Sequence, residues 1–238
     1  NRSEGYRETV GFLWGNQTAT LRWNHLFNSK IFANASAVYS KYLFGISNRY
    51  IVDYEDKNYY AEYNSGIRDF TLKYDLDFIP NPKHWIKAGI VTIFHRFNPH
   101  AFVEIDVPNN IDIHKVSYAY GTESGLYIED TWQPFSRLKV NGGFRYSKFA
   151  AYKINYNFPE PRISAALRLG NDMAIKGSFA IMNQYIHMIS NTGISLPTDL
   201  WVPTTDRVKP QQSRQLALGL VKDLGKPELE LSLEGYYK

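Results

Sequence analysis

The chain has no cysteine among its 238 residues, which excludes disulfides and thiolate metal sites and leaves the redox compartment open. It also lacks any apolar run approaching the roughly 20 residues that a membrane helix needs. Neither charge dominates: 27 Lys and Arg stand against 23 Asp and Glu, a formal +4 with no basic block, so nucleic-acid binding gains no support. No N-terminal signal peptide is visible, so either one has been removed or the sequence begins mid-protein. Phosphate loops, nucleophile elbows and zinc-protease helices are missing too.

What the chain has in quantity is aromatic side chains, 18 Tyr and 14 Phe among them, while its mean hydropathy stays negative. Many aromatics without long apolar runs suit two architectures. One is a soluble β-sandwich. The other is a transmembrane β-barrel, whose strands alternate lipid-facing and lumen-facing residues and so average to near-neutral hydropathy.

Alternation with period two recurs along the chain and selects the class. Phe70, Leu72, Tyr74, Leu76 and Phe78 fall on one face, Asp69, Thr71, Lys73, Asp75 and Asp77 on the other. Leu138, Val140, Phe144 and Tyr146 oppose Lys139, Asn141, Arg145 and Ser147. Ile163, Ala165, Leu167 and Leu169 oppose Arg162, Ser164 and Arg168. Leu229, Leu231, Leu233 and Tyr237 oppose Glu228, Glu230, Ser232 and Glu234, and Ala19, Leu21, Trp23 and Phe27 oppose Thr18, Thr20, Arg22 and Asn24. No helix distributes residues this way. Less regular strands are expected at 31–47, 84–97, 118–134, 173–189 and 213–224, giving about ten in all.

Short connections alternate with long ones. Turn formers fill 28–30, 80–83, 134–137, 170–172 and 225–227, whereas 48–60, 98–117, 150–159 and 190–212 read as long loops. This is the pattern of an outer-membrane barrel, with short periplasmic turns and long extracellular loops. Trp23, Phe27, Trp85, Trp132 and Tyr237 sit near strand ends, as interfacial girdles require. The expected fold is all-β, an antiparallel transmembrane β-barrel.

Several stretches resemble the barrel of TonB-dependent receptors, the ligand-gated importers of Gram-negative outer membranes. They are KGSFAIMNQYIHMISNTGISLPTDLWVPTTDRVKPQQSRQLALGL at 176–220, EPRISAALRL at 160–169, ELELSLEGYYK at 228–238, WGNQTATLRWNHLFNSKIFANASAVYSKY at 14–42 and HRFNP at 95–99. The resemblance spans nearly the whole chain and is closest to the branch whose precursors carry a carboxypeptidase-regulatory-like domain before the plug. It implies a barrel of about 22 strands around an N-terminal plug. Import is then driven by an inner-membrane TonB complex that pulls on a short N-terminal box. On that reading 1–238 is a fragment of one barrel domain, with the plug and remaining strands outside it. The chain shows no plug and no box, and it stops at Tyr236-Tyr237-Lys238 in mid-strand. The partners implied are outer-membrane lipid, the plug, the TonB complex and a nutrient: a ferric siderophore, another metal chelate, a peptide or a glycan. No resident cofactor or metal is expected, and the implied location is the outer membrane of a Gram-negative bacterium.

The candidate site residues carry two readings each. His100 and His114, in the expected loop 98–117 beside Glu104, Asp106 and Asp112, are ligand contacts or solvated loop residues. Tyr185 and His187, at the mouth of the longest loop, touch ligand or anchor the loop at the membrane boundary. Trp201, in the proline-bearing loop 190–212, offers a stacking surface for ligand or folds over its neighbours. Arg145, Arg162, Arg168 and Lys176, with Arg22, Lys73, Asp75 and Glu230, face the lumen, where they meet the plug and water or guide substrate.

Two other functions stay open at this stage. A complete ten-stranded barrel with a rim protease site would need close acidic and His residues, for which His95 with Asp130 or Asp69 is the available pairing. A barrel subunit of a larger assembly would need neighbouring strands to cover its edges.

Overall fold

A computed structural model describes residues 6–52, 57–106, 111–189, 200–225 and 229–238. The strands are β1 (Tyr6–Asn28), β2 (Ile31–Val52), β3 (Lys57–Asn81), β4 (His84–Asp106), β5 (Ile111–Phe135), β6 (Leu138–Ala151), β7 (Ile154–Gly170), β8 (Met173–Gln184), β9 (Ile186–Ile189), β10 (Leu200–Pro203), β11 (Gln211–Asp223) and β12 (Glu230–Tyr237). Ten of them form one antiparallel sheet in the order β1-β2-β3-β4-β5-β6-β7-β8-β11-β12, and β9 pairs with β10 in a separate ribbon. β1 and β12 are the two edges, so the sheet is an open wall and part of a barrel. The closure of first strand on last that a complete ten-stranded barrel demands is absent among the described residues.

The alternation read from the sequence holds through the register. Phe78, Ile86, Asp130, Gly142, Ile163 and Phe179 form one row of directly paired positions on the apolar face. Asp69 pairs with His95 and Arg145 with Glu160 on the polar face. The apolar face is open: Leu21, Leu126, Leu218 and Leu233 are each more than half exposed. Trp85 departs from the expected girdle. Its register partner is Thr131, and its indole Nε1 donates to Asp77 at 2.7 Å, so it belongs to the polar face.

Side-chain caps close the short turns. Asn28, Asn81 and Asp223 each accept, at 2.9 Å, the backbone N–H two residues on, from Lys30, Lys83 and Gly225. Gly170, Asn171 and Asp172 all have positive φ, and Asn and Asp tolerate the left-handed region at little cost.

The other end differs from expectation. Most of 48–60, 98–117 and 150–159 is strand, not loop: β2 runs to Val52, β4 to Asp106, and β6 turns into β7 at Tyr152-Lys153. Segments 53–56 and 107–110 lie outside the described residues. β1 to β5 are each 22–25 residues long, against the ~9–11 that cross a bilayer. Pairing simply continues past the apolar band, where both faces meet water and the period-two signal fades. The predicted strand 173–189 is broken at Tyr185 into β8 and β9; of the predicted loop 190–212, residues 190–199 lie outside the described residues and the rest contains β10 and the start of β11.

Candidate functional site

Two prolines prepare the site. Pro159 and Pro161 lack the N–H that a second neighbouring strand would use, and β7 pairs with β8 only from Arg162 onward. Beyond that point the chain leaves the ladder. Tyr185 breaks the strand, and the β9–β10 hairpin folds against β3, β4 and β5 instead of extending the wall. Trp201 of β10 meets the Tyr42 ring of β2 edge-on, at 6.4 Å between centroids. Position 42 pairs with Ile67 on the polar side, so the hairpin covers the polar face.

Beneath the hairpin lies a chain of buried polar contacts. The Tyr185 hydroxyl is 2.6 Å from Ser147 Oγ, which donates to Glu160 Oε1 at 2.6 Å. Asn183 Nδ2 donates to the same oxygen at 3.0 Å. Arg145 reaches Glu123 at 3.0 Å and Glu160 at 3.8 Å, one guanidinium between two carboxylates. Asp69 accepts from His95 Nδ1 at 2.8 Å, and the His95 side chain is 1% exposed. Burial pushes the Tyr185 phenol up from its ordinary pKa, so it stays a neutral donor.

Aromatic rings seal this network. Phe149 stacks on Tyr185 at 5.2 Å, Phe158 lies 6.3 Å from Tyr185, and Phe97 and Phe149 flank His95. Glycine makes the room. A Cβ on Gly121 would stand 2.8 Å from the Phe149 ring, and one on Gly125 would stand 2.6 Å from Arg145 Nε. The hairpin base is fixed by the Thr204 N–H donating to the Tyr185 carbonyl at 2.8 Å, by His187 against Thr204 Oγ1 at 3.0 Å, and by the Tyr156 hydroxyl on the Thr205 carbonyl at 2.9 Å. Between hairpin and wall is a cavity of about 1030 Å³ lined by Asp69, Glu123, Tyr185, Trp201, Gln212 and Arg214 among others.

The structure thus brings Tyr185, His187 and Trp201 together with Arg145. His187 and Tyr185 are buried, 7% and 1% exposed. His100 and His114 are strand positions, opposite Ser117 and Val103 across β4 and β5; their side chains lie outside the described residues. Arg162 pairs with Glu129 at 2.7 Å on the polar face, nearer the short turns. Arg168 and Lys176 are exposed there, opposite Ala174 and Ala166. Sequence reasoning missed Glu123, Glu160 and Asn183 as site members. Glu123 and Glu160 alternate correctly for the polar face, but Glu160 stands between two prolines at the edge of a predicted loop.

The Asp69–His95 pair named for a rim protease does form. Yet His95 Nε2 has no hydrogen-bond partner, and the Ser147 hydroxyl is engaged by Glu160 and Tyr185. Among the described residues there is no group of three His, Cys, Asp or Glu that could hold a metal ion.

No curated protein sequence is significantly similar to the chain. Solved structures show the fold. The RagAB peptide transporter superposes with a TM-score of 0.67 at 10% identity, over 97% of this chain and 30% of its own. The ferric citrate transporter FecA gives 0.62 at 13%, over 94% and 34%. BauA, the ferric preacinetobactin receptor from Acinetobacter baumannii, gives 0.60 at 11%, over 96% and 37%. The chain therefore spans about a third of the length of the structures it matches. The family model described as TonB dependent receptor-like, beta-barrel matches residues 1–238. With an open antiparallel wall, opposed polar and apolar faces and a family match along its whole length, the chain belongs to the TonB-dependent receptor β-barrel family.

Proposed function

We propose that the chain is part of the barrel wall of an outer-membrane receptor that captures a scarce nutrient outside a Gram-negative cell and imports it into the periplasm. The apolar face lies against lipid and the polar face lines the lumen. The short turns point to the periplasm, and the long strands of β1 to β5 project from the cell. The supporting observation is the cavity beneath the β9–β10 hairpin: it opens on the polar face, far from the short turns, and joins Trp201 to a set of amides and carboxylates. A stacking ring with convergent polar groups is what a small-ligand site requires.

Trp201 is the stacking surface in this reading, Tyr185 and His187 hold it in place, and His100 and His114 stand on the projecting strands. Arg145, Arg162, Arg168 and Lys176 face the plug, whose withdrawal by the TonB complex opens the path. The fold neighbours include a ferric citrate transporter and a peptide transporter, and the cargo of this reading is a ferric siderophore, other metal chelate, peptide or glycan.

The test is complementation. A strain lacking the full-length gene is grown with iron, cobalamin, peptide or glycan as the single limiting nutrient. Restored uptake with the wild-type gene, and at least severalfold loss with Trp201→Ala in protein that still inserts, supports the reading. Unchanged growth on every nutrient, or full activity of Trp201→Ala, contradicts it.

A further inference from the structure

On the apolar face, one row runs Phe78, Ile86, Asp130, Gly142, Ile163, Phe179 through directly paired positions. Asp130 is its single charge. Asp130 Oδ2 accepts from His84 Nδ1 at 2.7 Å, and the His84 ring stacks on Trp132, 6.0 Å between centroids and 16° between planes. Both side chains remain accessible, His84 at 34% and Asp130 at 36%. The second carboxylate oxygen, Oδ1, is covered by the protein and has no partner in it, so Oδ2 is the oxygen open to the membrane side. Next to Asp130 in the row, Gly142 has open space where a side chain would stand, with nothing within 4 Å of a built Cβ. Asp130 is therefore a half-satisfied carboxylate beside a notch in an otherwise apolar surface, five positions from the end of β5 at Phe135.

A carboxylate on the lipid side of a barrel is unfavourable, and less so near the interface than at the midplane. The His84 bond removes part of that cost. The rest calls for a donor that comes from the membrane side to Oδ2, because His84 is the one donor this carboxylate has among the described residues. Trp132 marks the depth as the headgroup level, where indoles settle. Lys83 and, on the adjacent turn, Arg137 are exposed cations in the turns that flank these strands. An ammonium beside a phosphate at headgroup depth, with acyl chains below, describes one class of molecule.

We propose that Asp130, His84, Trp132 and the notch at Gly142 form a phospholipid site selective for a headgroup bearing a primary ammonium. The ammonium donates to Asp130 Oδ2, the oxygen it shares with His84 Nδ1, and an acyl segment fills the space over Gly142. A quaternary ammonium has no N–H to donate and is discriminated against. The site rests on the reading of the apolar face as lipid-facing.

The experiment uses the full-length receptor in mixed-lipid nanodiscs, extracted and weighed by native mass spectrometry. Phosphatidylethanolamine, phosphatidylcholine and phosphatidylglycerol are supplied in equal amounts, and folding is followed separately by resistance to SDS unfolding. Wild type is expected to retain phosphatidylethanolamine over phosphatidylcholine by about tenfold, the ratio that one charge-assisted hydrogen bond supplies. Asp130→Leu and the nearly isosteric Asp130→Asn are expected to lower that ratio severalfold, and Gly142→Leu to lower total retention, while all three stay folded. Equal retention by wild type, or an unchanged ratio in both Asp130 variants, overturns the proposal. A change of oligomeric state in Asp130→Leu without a change in lipid ratio overturns it in favour of a protein partner's lysine. A receptor that is folded yet never enters the nanodisc refutes the membrane reading itself, and the lipid site with it.

Discussion

The Tyr185 hydroxyl sits 2.6 Å from Ser147 Oγ, joining the base of the β9–β10 hairpin to the inner surface of β6 across 38 residues of sequence. Ser147 passes the interaction on to Glu160, so one phenol connects the hairpin to the carboxylates of the wall. Removing the hydroxyl alone leaves Ser147 still bonded to Glu160. Tyr185→Phe is therefore expected to cost only about 1 kcal/mol in urea unfolding of the full-length receptor. Tyr185→Ala also removes the ring stacked on Phe149 and is expected to cost about 3–5 kcal/mol. Equal losses for the two would show that the ring packing contributes nothing.

Gly121 makes room for Phe149. A Cβ there would stand 2.8 Å from a ring that is fully buried and has nowhere to go. Gly121→Val is expected to destabilise the receptor by about 1–3 kcal/mol through overpacking. Combining it with Phe149→Leu should recover part of that loss. A double variant whose cost equals the sum of its parts would contradict the contact.

Arg145 stands between Glu123 and Glu160, whose side chains are 17% and 7% exposed. Arg145→Met leaves two largely buried carboxylates with no cation between them, and is expected to cost about 3–5 kcal/mol. Adding Glu123→Gln should restore more than half of it by removing the repulsion. The measurement is again urea unfolding, with the pair of variants compared at one pH. A double variant as unstable as Arg145→Met would show that the guanidinium acts through packing alone.

The two faces should respond differently to the same change. Leu218 lies on the apolar face opposite Gly177 and Gly235, and is 64% exposed. Leu218→Arg is expected to cost about 2–4 kcal/mol if that position is near the bilayer midplane. Ser164→Arg, on the polar face opposite Asn141 and Ser178, is expected to be tolerated within about 1 kcal/mol. Folding yields into liposomes compare the two directly.

Much of the wall was legible in the sequence because the bilayer enforces strict alternation: Phe70 to Phe78 and Asp69 to Asp77 could be assigned to faces without coordinates. The short turns were legible because Asn28, Asn81 and Asp223 cap them locally. The projecting strands were not, since above the apolar band neither face is forced to be oily, and Tyr59, Glu62 and Asn64 give no periodic signal. The site was legible only in pieces. Tyr185, His187 and Trp201 stood out by type, but their meeting with Ser147 and Glu160 depends on β8 leaving β7 after two prolines. Pro159 falls in the expected loop 150–159 and Pro161 just beyond it, whereas both lie within β7 and limit its pairing. Long-range consequences of a missing N–H do not show in local pattern.

The central claim, that this sheet is one wall of a membrane barrel with its polar face to the lumen, is tested most directly by scanning β3. Spin labels placed singly from position 69 to position 78 of the full-length receptor in liposomes report collision with oxygen and with a water-soluble relaxant. The account predicts that labels at 70, 72, 74, 76 and 78 favour oxygen and labels at 69, 71, 73, 75 and 77 do not, alternating without a break. Equal access of the water-soluble relaxant to both sets would contradict it.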